Sequence, residues 1–450
     1  MHPLNWYMLL GELGVQVRAT AFSHFCGGEQ LEDCVSTAQS LQECAGVRCI
    51  VDWGVEESSR PDAWDLNTQR KVETLQRAKE VLGPSAAFMP IKLTSLLSPE
   101  LLESLTSALE ATPSSQDAAA ALCTEDVAAA LGRLRLICQA AKDAAVPVLL
   151  DAEQSNRQPA VHVLAQELQK EFNRQDIVVY DTIQMYLKAS PARLDQALRS
   201  AGQHGYVCAV KLVRGAYMEQ EKSRGSIHSS KEATDEAFDA AAGRLLSSVA
   251  QERPSAALVL ATHNRCSLNQ AVAKMEQLGL ARDHPRVHFA QIFGMVDNLT
   301  FSLGLAGYNA SKLLVFGEVK EVLPWLVRRA QENRDAFGAQ AWHVLVRSQG
   351  RFKSRSELSG LMTLMTEQAT FEAVGYSRML SEEVKQVARF VRCNSGHAEE
   401  DSCASPRALQ EGALTMQADF SRPVKLQAPF MLGWSLCIFS VGLALGRLGW

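Results

Sequence analysis

The chain has 450 residues, 47% hydrophobic and 21% charged, enough apolar side chain for a large buried core, which excludes global disorder. Its net charge of −5 excludes nucleic acid as the main partner, because such binding needs a concentrated basic surface. The eleven cysteines are odd in number and none forms a CxxC pair, so neither a disulfide framework nor a zinc ribbon is indicated and a reducing compartment is the default.

In chain order, residues 1–20 show no Arg/Ser-rich amphipathic stretch and no charged lead into an apolar core, so no targeting peptide is read there. Leu31, Cys34, Val35, Ala38 and Leu41 recur at helical spacing, and Gly46 ends the pattern. This marks residues 1–46 as an N-terminal helical segment. Eight short apolar runs then follow at 47–53, 87–93, 146–151, 177–181, 207–213, 258–262, 287–291 and 312–316, separated by helix-like spacers. Continuous apolar runs alternating with helices indicate βα units and a parallel sheet buried on both faces. Eight units in about 270 residues fit a (β/α)8 barrel, and no GxGxxG follows a run to favour a doubly wound sheet. The barrel is assigned to residues 47–345.

Residues 111–130 read as a polar, Ala-rich insertion. Leu323, Leu326, Val327 and Ala330 form a helical stripe around Pro324, which suits a first helical turn. A helical extension is read over 346–393, where Ser381 can cap a helix. An aperiodic linker follows over 394–427. Residues 428–446 run without a charge; at about 1.5 Å per residue such a helix matches a bilayer core, so a membrane anchor is expected.

Active sites of parallel barrels lie where strands end. The polar residues there are Lys92, Thr94, Asp151, Glu153, Gln184, Lys211, Arg214, Thr262, His263, Asn264 and Gln291. No three show metal-ligand spacing, and no HExxH or nucleophile elbow exists. The set suits an anionic, heteroatom-rich ligand, with the hard chemistry left to a cofactor. A Schiff-base aldolase using Lys92 or Lys211 is a competing reading. By pattern alone Arg328, Arg329 and Glu332 lie away from the apolar stripe, as on a solvated face.

The stretches Phe88-Met-Pro-Ile-Lys-Leu-Thr94, Leu150-Asp-Ala-Glu-Gln154, Thr182-Ile-Gln-Met-Tyr-Leu-Lys188, Lys211-Leu-Val-Arg-Gly-Ala-Tyr217, Ala261-Thr-His-Asn264, Gln291-Ile-Phe-Gly-Met295 and Trp325-Leu-Val-Arg-Arg-Ala-Gln-Glu-Asn333 together resemble the proline dehydrogenase family. Similarity covers about residues 10 to 340, and the segment Gly307-Tyr-Asn-Ala-Ser-Lys312 is most like the plant and algal branch. The resemblance implies a distorted (β/α)8 barrel with N-terminal helices and a C-terminal helical extension. It implies bound FAD, oxidation of L-proline to Δ1-pyrroline-5-carboxylate, electron delivery to a membrane quinone, and a mitochondrial location.

Carried over position by position, Arg328 and Arg329 clamp the substrate carboxylate with help from Lys92. Two guanidiniums suit a carboxylate because they present planar forked donors. Glu332 orients an Arg, and Asp151 belongs to a supporting polar network. Lys211 matches the cation beside flavin N5. Gln184, Val213, Gly215, Ala216, Tyr217, Ser230, Lys231, Thr234, Thr262, His263, Asn264 and Gln291 match flavin contacts. Gly215 is expected to let the backbone approach a ring or phosphate. One departure stands out: Leu313 occupies the position of a family Tyr that packs over the substrate ring. Hydroxyproline-oxidising relatives carry a small residue there, and Leu313, apolar and unable to hydrogen-bond a hydroxyl, does not favour a hydroxyproline preference either. The alternatives are a hydroxyproline dehydrogenase or a catalytically weak, membrane-tethered barrel.

Overall fold

The computed structural model describes residues 18–54, 60–111 and 122–333. The chain divides into two compact units, residues 22–325 and residues 1–21 with 326–450. The first carries the fold.

All eight apolar runs are strands: β2 Arg48–Trp53, β3 Ala86–Ile91, β4 Val148–Leu150, β5 Val179–Gln184, β6 Cys208–Val213, β7 Ala256–Ala261, β8 Val287–Ile292 and β9 Ala310–Phe316, preceded by a short β1, Cys26–Gly28. Neighbours pair in parallel from β2 through β9, and β9 closes back on β2. A closed eight-stranded (β/α)8 barrel results. Its edges vanish on closure. The helices outside and packed side chains inside bury both faces of the strands, so the strands are apolar on both.

β1 was not visible in the sequence. Cys-Gly-Gly has no alternation to read, and it pairs with β9 at Cys26↔Val315 and Gly28↔Phe316, beyond the reach of β8, which pairs with β9 only as far as Leu313.

The helices between strands are α1 Cys34–Ala45, α2 Pro61–Leu82, α3 Pro99–Ala111, α4 Glu125–Ala144, α5 Gln158–Phe172, α6 Ser190–His204, α7 Met218–Arg224, α8 Lys231–Gln251, α9 Arg265–Gln277, α10 Asp297–Leu305 and α11 Val319–Asn333. Gly46 ends α1 in the left-handed conformation (φ 65°), donating back to Gln42, as its position after the apolar stripe predicts. Two expectations change. The Ala-rich insertion is shorter than 111–130, because its last residues are the opening turns of α4, where Val127 and Ala130 are buried; residues 112–121 lie outside the described residues. Pro324 sits inside α11 rather than in its first turn. It removes one backbone donor at that point, and the buried Val322 and Trp325 on either side hold the helix in place.

Two apolar layers follow from the strand period of two. Outward residues such as Cys49, Met89, Val148, Val210, Leu258 and Phe289 pack against the helices. Inward residues Ile50, Phe88, Leu149, Tyr180, Ala209, Val259 and Ala290 fill the barrel. Each fully buried aliphatic or Phe side chain contributes about 1.5–3 kcal/mol relative to exposure.

The barrel floor is more polar. Phe88 meets Tyr180 and His288 edge-on, with ring centres 5.4 and 4.9 Å apart, and Arg48 Nη2 lies 3.2 Å from His288 Nδ1. Burial, seconded by the Arg48 charge, pulls His288 down to about 4. It stays neutral, with Nε2 donating to the Pro285 carbonyl and Nδ1 accepting from Arg48.

The helical extension 346–393, the linker 394–427 and the anchor segment 428–446 lie outside the described residues. Among the described residues no helix is long and apolar enough to cross a membrane.

Candidate active site

The alternation that fills the barrel with apolar groups also sets its mouth. Two residues beyond the inner cluster, Asp52, Asp151, Thr182 and Lys211 point inwards. One step further come Lys92, Gln184 and Val213. Leu313, on β9, packs against the inner cluster. Polar groups therefore crown an apolar column, where the strands end.

Lys211 Nζ donates to Asp151 Oδ1 at 2.5 Å, across from β6 to the end of β4. The Asp151 backbone is itself fixed by its N–H to the Ile91 carbonyl (2.9 Å). The two side chains are only 13% and 23% exposed, so the pair is little screened. Lys92, half-buried, follows β3. Below it a second pair, whose partnership no sequence pattern marks, joins α2 to the barrel: Lys71 Nζ lies 3.4 Å from Asp52 Oδ1 and donates to the Trp53 and Pro90 carbonyls. Burial pulls the Lys71 ammonium below its ordinary range, while Asp52 opposes that shift and Lys92 adds to it. The legible signal was Asp52 itself, a carboxylate one residue from the end of an apolar run.

Gln184 is buried with both ends committed: Nε2 donates to the Glu153 carbonyl (2.8 Å) and Oε1 accepts from Ala216 N–H (3.1 Å). That orients the turn 214–217 after β6. Gly215 in this turn has φ +154°, and a Cβ there would lie 2.3 Å from the Tyr186 ring. The group requiring glycine is thus Tyr186, whose hydroxyl also accepts from Tyr217 N–H (3.2 Å). This need for glycine is set by the chain's own ring and holds with or without a ligand. Ala216 is exposed, whereas Val213 and Tyr217 are half-buried.

On the far side of the mouth, Arg214 ties β6 to α8, the end of β7 and α9. Its Nε donates to Asp235 (2.8 Å), Nη1 to Thr262 Oγ1 (2.6 Å) and Nη2 to Ser267 Oγ (2.8 Å). Asp235 also pairs with Lys231, and together these cations hold its carboxyl below the usual range against a burial effect that raises it. Ser230 caps α8 by accepting from Ala233 N–H, and Thr234 donates back to the Ser230 carbonyl. Asn264 caps α9 in the same way through Ser267 N–H. Caps of this kind contribute about 1 kcal/mol each. His263 Nε2 accepts from Ile292 N–H (3.2 Å).

Gln291 departs from expectation in direction. It follows the outward parity of Phe289, donates to the Thr262 carbonyl (3.2 Å) and accepts from Thr300 on α10 (2.9 Å). Of the polar set, Lys92, Asp151, Gln184 and Lys211 meet at the inner mouth. Thr262, His263, Asn264, Ser230, Lys231 and Thr234 gather around Arg214 and Asp235. Arg328 and Arg329 are half-buried on α11 in the second unit. The side chain of Glu332, on the last turn of α11, lies outside the described residues.

Among the described residues no group of three or more His, Cys, Asp or Glu is placed to hold a metal. The mouth is instead rich in donors: the Lys211 ammonium, the second amide N–H of Gln184 and the Thr262 hydroxyl. That chemistry fits a cofactor carrying many acceptor atoms.

The Proline dehydrogenase family profile matches residues 34–340. Proline dehydrogenase 1, mitochondrial, of Arabidopsis thaliana is 30% identical over 361 residues, covering 72% of each chain. Hydroxyproline dehydrogenase of Bos taurus is 32% identical over 363 residues, covering 72% of this chain and 78% of that protein. Among solved structures, proline utilization A (PutA) from Bdellovibrio bacteriovorus inactivated by N-propargylglycine superposes with a TM-score of 0.59 at 20% identity. That match covers 70% of this chain but only 32% of the larger one, and it shows the fold. With a profile spanning most of the chain and relatives matched over most of their length, the chain belongs to the proline dehydrogenase family.

Proposed function

We propose that the chain oxidises L-proline to Δ1-pyrroline-5-carboxylate with bound FAD, in proline catabolism. The observation that carries this reading is the inward Lys211–Asp151 pair at the barrel mouth, surrounded by donors that suit an acceptor-rich flavin. FAD, when bound, supplies the acceptor for the hydride that leaves the ring carbon beside nitrogen. The residues that would hold it are Gln184, Lys211, Val213, Gly215, Ala216, Tyr217, Ser230, Lys231, Thr234, Thr262, His263 and Asn264, whereas the Gln291 amide is taken up by Thr262 and Thr300.

Lys211 supplies a fixed cation, and Asp151 keeps that cation aimed into the barrel instead of into solvent. Preorganised charge of this kind favours anionic groups without reorganising when they form. Gln184 holds the turn that carries Gly215 and Tyr217. By the motif match, Arg328 and Arg329, with Lys92, bind the substrate carboxylate, and Glu332 orients one of the guanidiniums. The relatives named proline dehydrogenase and hydroxyproline dehydrogenase are similarly close in sequence, so overall likeness does not divide the two substrates. Leu313 favours proline: it packs against the apolar inner cluster and gives a ring hydroxyl no hydrogen-bond partner. The names of the plant relatives support a mitochondrial location. The uncharged stretch 428–446 supports membrane association, and the family resemblance adds transfer of electrons to a membrane quinone.

With an artificial electron acceptor the FAD-loaded chain turns over L-proline faster than its 4-hydroxy analogue, and Arg329→Lys raises KM for L-proline more than it lowers FAD content. A yellow protein without turnover of either amino acid would sink the proposal. Flavin loss with unchanged KM in Arg329→Lys would remove the carboxylate role from that residue.

A further inference from the structure

The hydroxyl of Thr262 has its direction fixed by the chain. Its oxygen accepts from Arg214 Nη1 at 2.6 Å and from the Asn264 backbone N–H at 3.1 Å. A hydroxyl oxygen has two lone pairs and one hydrogen, so both acceptor positions are taken. Among the described residues nothing accepts that hydrogen, and Thr262, 8% exposed, closes the end of β7 at the barrel mouth. Arg214 is held in turn: Nη2 lies 2.7 Å from Asp235 Oδ1 and donates to Ser267 Oγ, and the guanidinium stands over the Phe238 ring, 4.5 Å from its centre. A cation bonded on three sides and stacked on a fourth has little freedom to release Thr262.

We infer that Arg214 is a positioning residue that fixes Thr262 as an obligate hydrogen-bond donor to the cofactor. The atom that Thr262 meets is therefore an acceptor, a phosphate or carbonyl oxygen or an unprotonated ring nitrogen, and never an N–H. This rests on the reading of FAD as the cofactor. It also explains why Arg214, which approaches no expected substrate group, sits at the junction of two sets of cofactor residues. Losing the guanidinium frees a lone pair on Thr262, and the hydroxyl can then rotate to accept, which wastes its donor.

The test uses the full chain stripped of FAD, with the FAD dissociation constant read by quenching of flavin fluorescence and KM for L-proline read alongside. Thr262→Ser keeps wild-type affinity, because serine retains the same oxygen and hydrogen. Thr262→Val and Arg214→Met each weaken FAD about tenfold, the scale of one lost hydrogen bond, and leave KM for L-proline unchanged. The double variant is no weaker than about the worse single one, since both changes remove one interaction. Arg214→Lys recovers only part, lacking the fork that reaches Thr262, Asp235 and Ser267 together.

Wild-type affinity in Thr262→Val overturns the inference. So do losses that add in the double variant, or an Arg214→Met chain that holds FAD normally. If Arg214→Met does not fold, Arg214→Lys takes its place, and wild-type FAD affinity in that variant overturns the inference. A wild-type chain that binds no FAD contradicts the cofactor reading itself and removes the inference with it.

Discussion

Lys211→Met leaves FAD bound and slows its anaerobic reduction by L-proline about 10²–10³-fold, or about 2.7–4 kcal/mol, the usual effect of deleting one preorganised charge-stabilising donor. The side chain it removes lies inside the barrel, 13% exposed, with its ammonium 2.5 Å from Asp151. Methionine keeps the length of the stem, so packing around Ala209 and Val213 is largely spared. What disappears is the cation, and what remains is a half-buried carboxylate facing the site. That carboxylate then repels any anion approaching it, which adds to the loss in rate. Stopped-flow reduction measures the effect directly. A change smaller than about threefold would show that Lys211 acts in structure and not in chemistry, since a preorganised charge is worth far more.

Gly215→Ala lowers stability by about 2–6 kcal/mol and empties the site of FAD. Two physical costs meet at this residue. A non-glycine side chain at φ +154° carries backbone strain of about 1–3 kcal/mol. Its methyl would also lie 2.3 Å from the Tyr186 ring, and forcing a methyl into a packed site costs about 1–3 kcal/mol more. Tyr186 cannot retreat freely, because it is 1% exposed and its hydroxyl accepts from Tyr217 N–H. Moving it therefore disturbs the turn that Gln184 orients. Urea unfolding gives the stability change, and the flavin-to-protein absorbance ratio gives occupancy. A variant that unfolds within about 1 kcal/mol of wild type would mean the turn relaxes around the methyl.

The eight strands were readable because barrel strands are buried on both faces, so each is a continuous apolar run. β1 was not, since three residues of Cys-Gly-Gly gain their pairing only from the free end of β9. The polar groups at run ends mark the mouth, because a charged or amide side chain closing an apolar run sits where the strand leaves the barrel. Direction was harder. Gln291 is at a strand end, but its parity turns it towards Thr300 on α10. Arg328 and Arg329 read as a solvated face by helical period, yet both are half-buried, because a helical stripe locates one packed face and is silent about the other. Asp52 and Lys71 are hidden in the sequence for a related reason: a lysine in mid-helix looks like an exposed charge until the fold buries it against Asp52. Arg214 stood among the strand-end residues, but its role depends on Asp235, Thr262 and Ser267, distant in sequence and joined only by the fold.

Flavin-dependent oxidation of L-proline is the reaction proposed for the mouth of this barrel. The most direct measurement is the absorbance of the FAD-loaded full chain when L-proline is added under anaerobic conditions. Bleaching of the flavin band, with Δ1-pyrroline-5-carboxylate formed in equal amount, is the predicted result. A band that stays unchanged at saturating L-proline would contradict it.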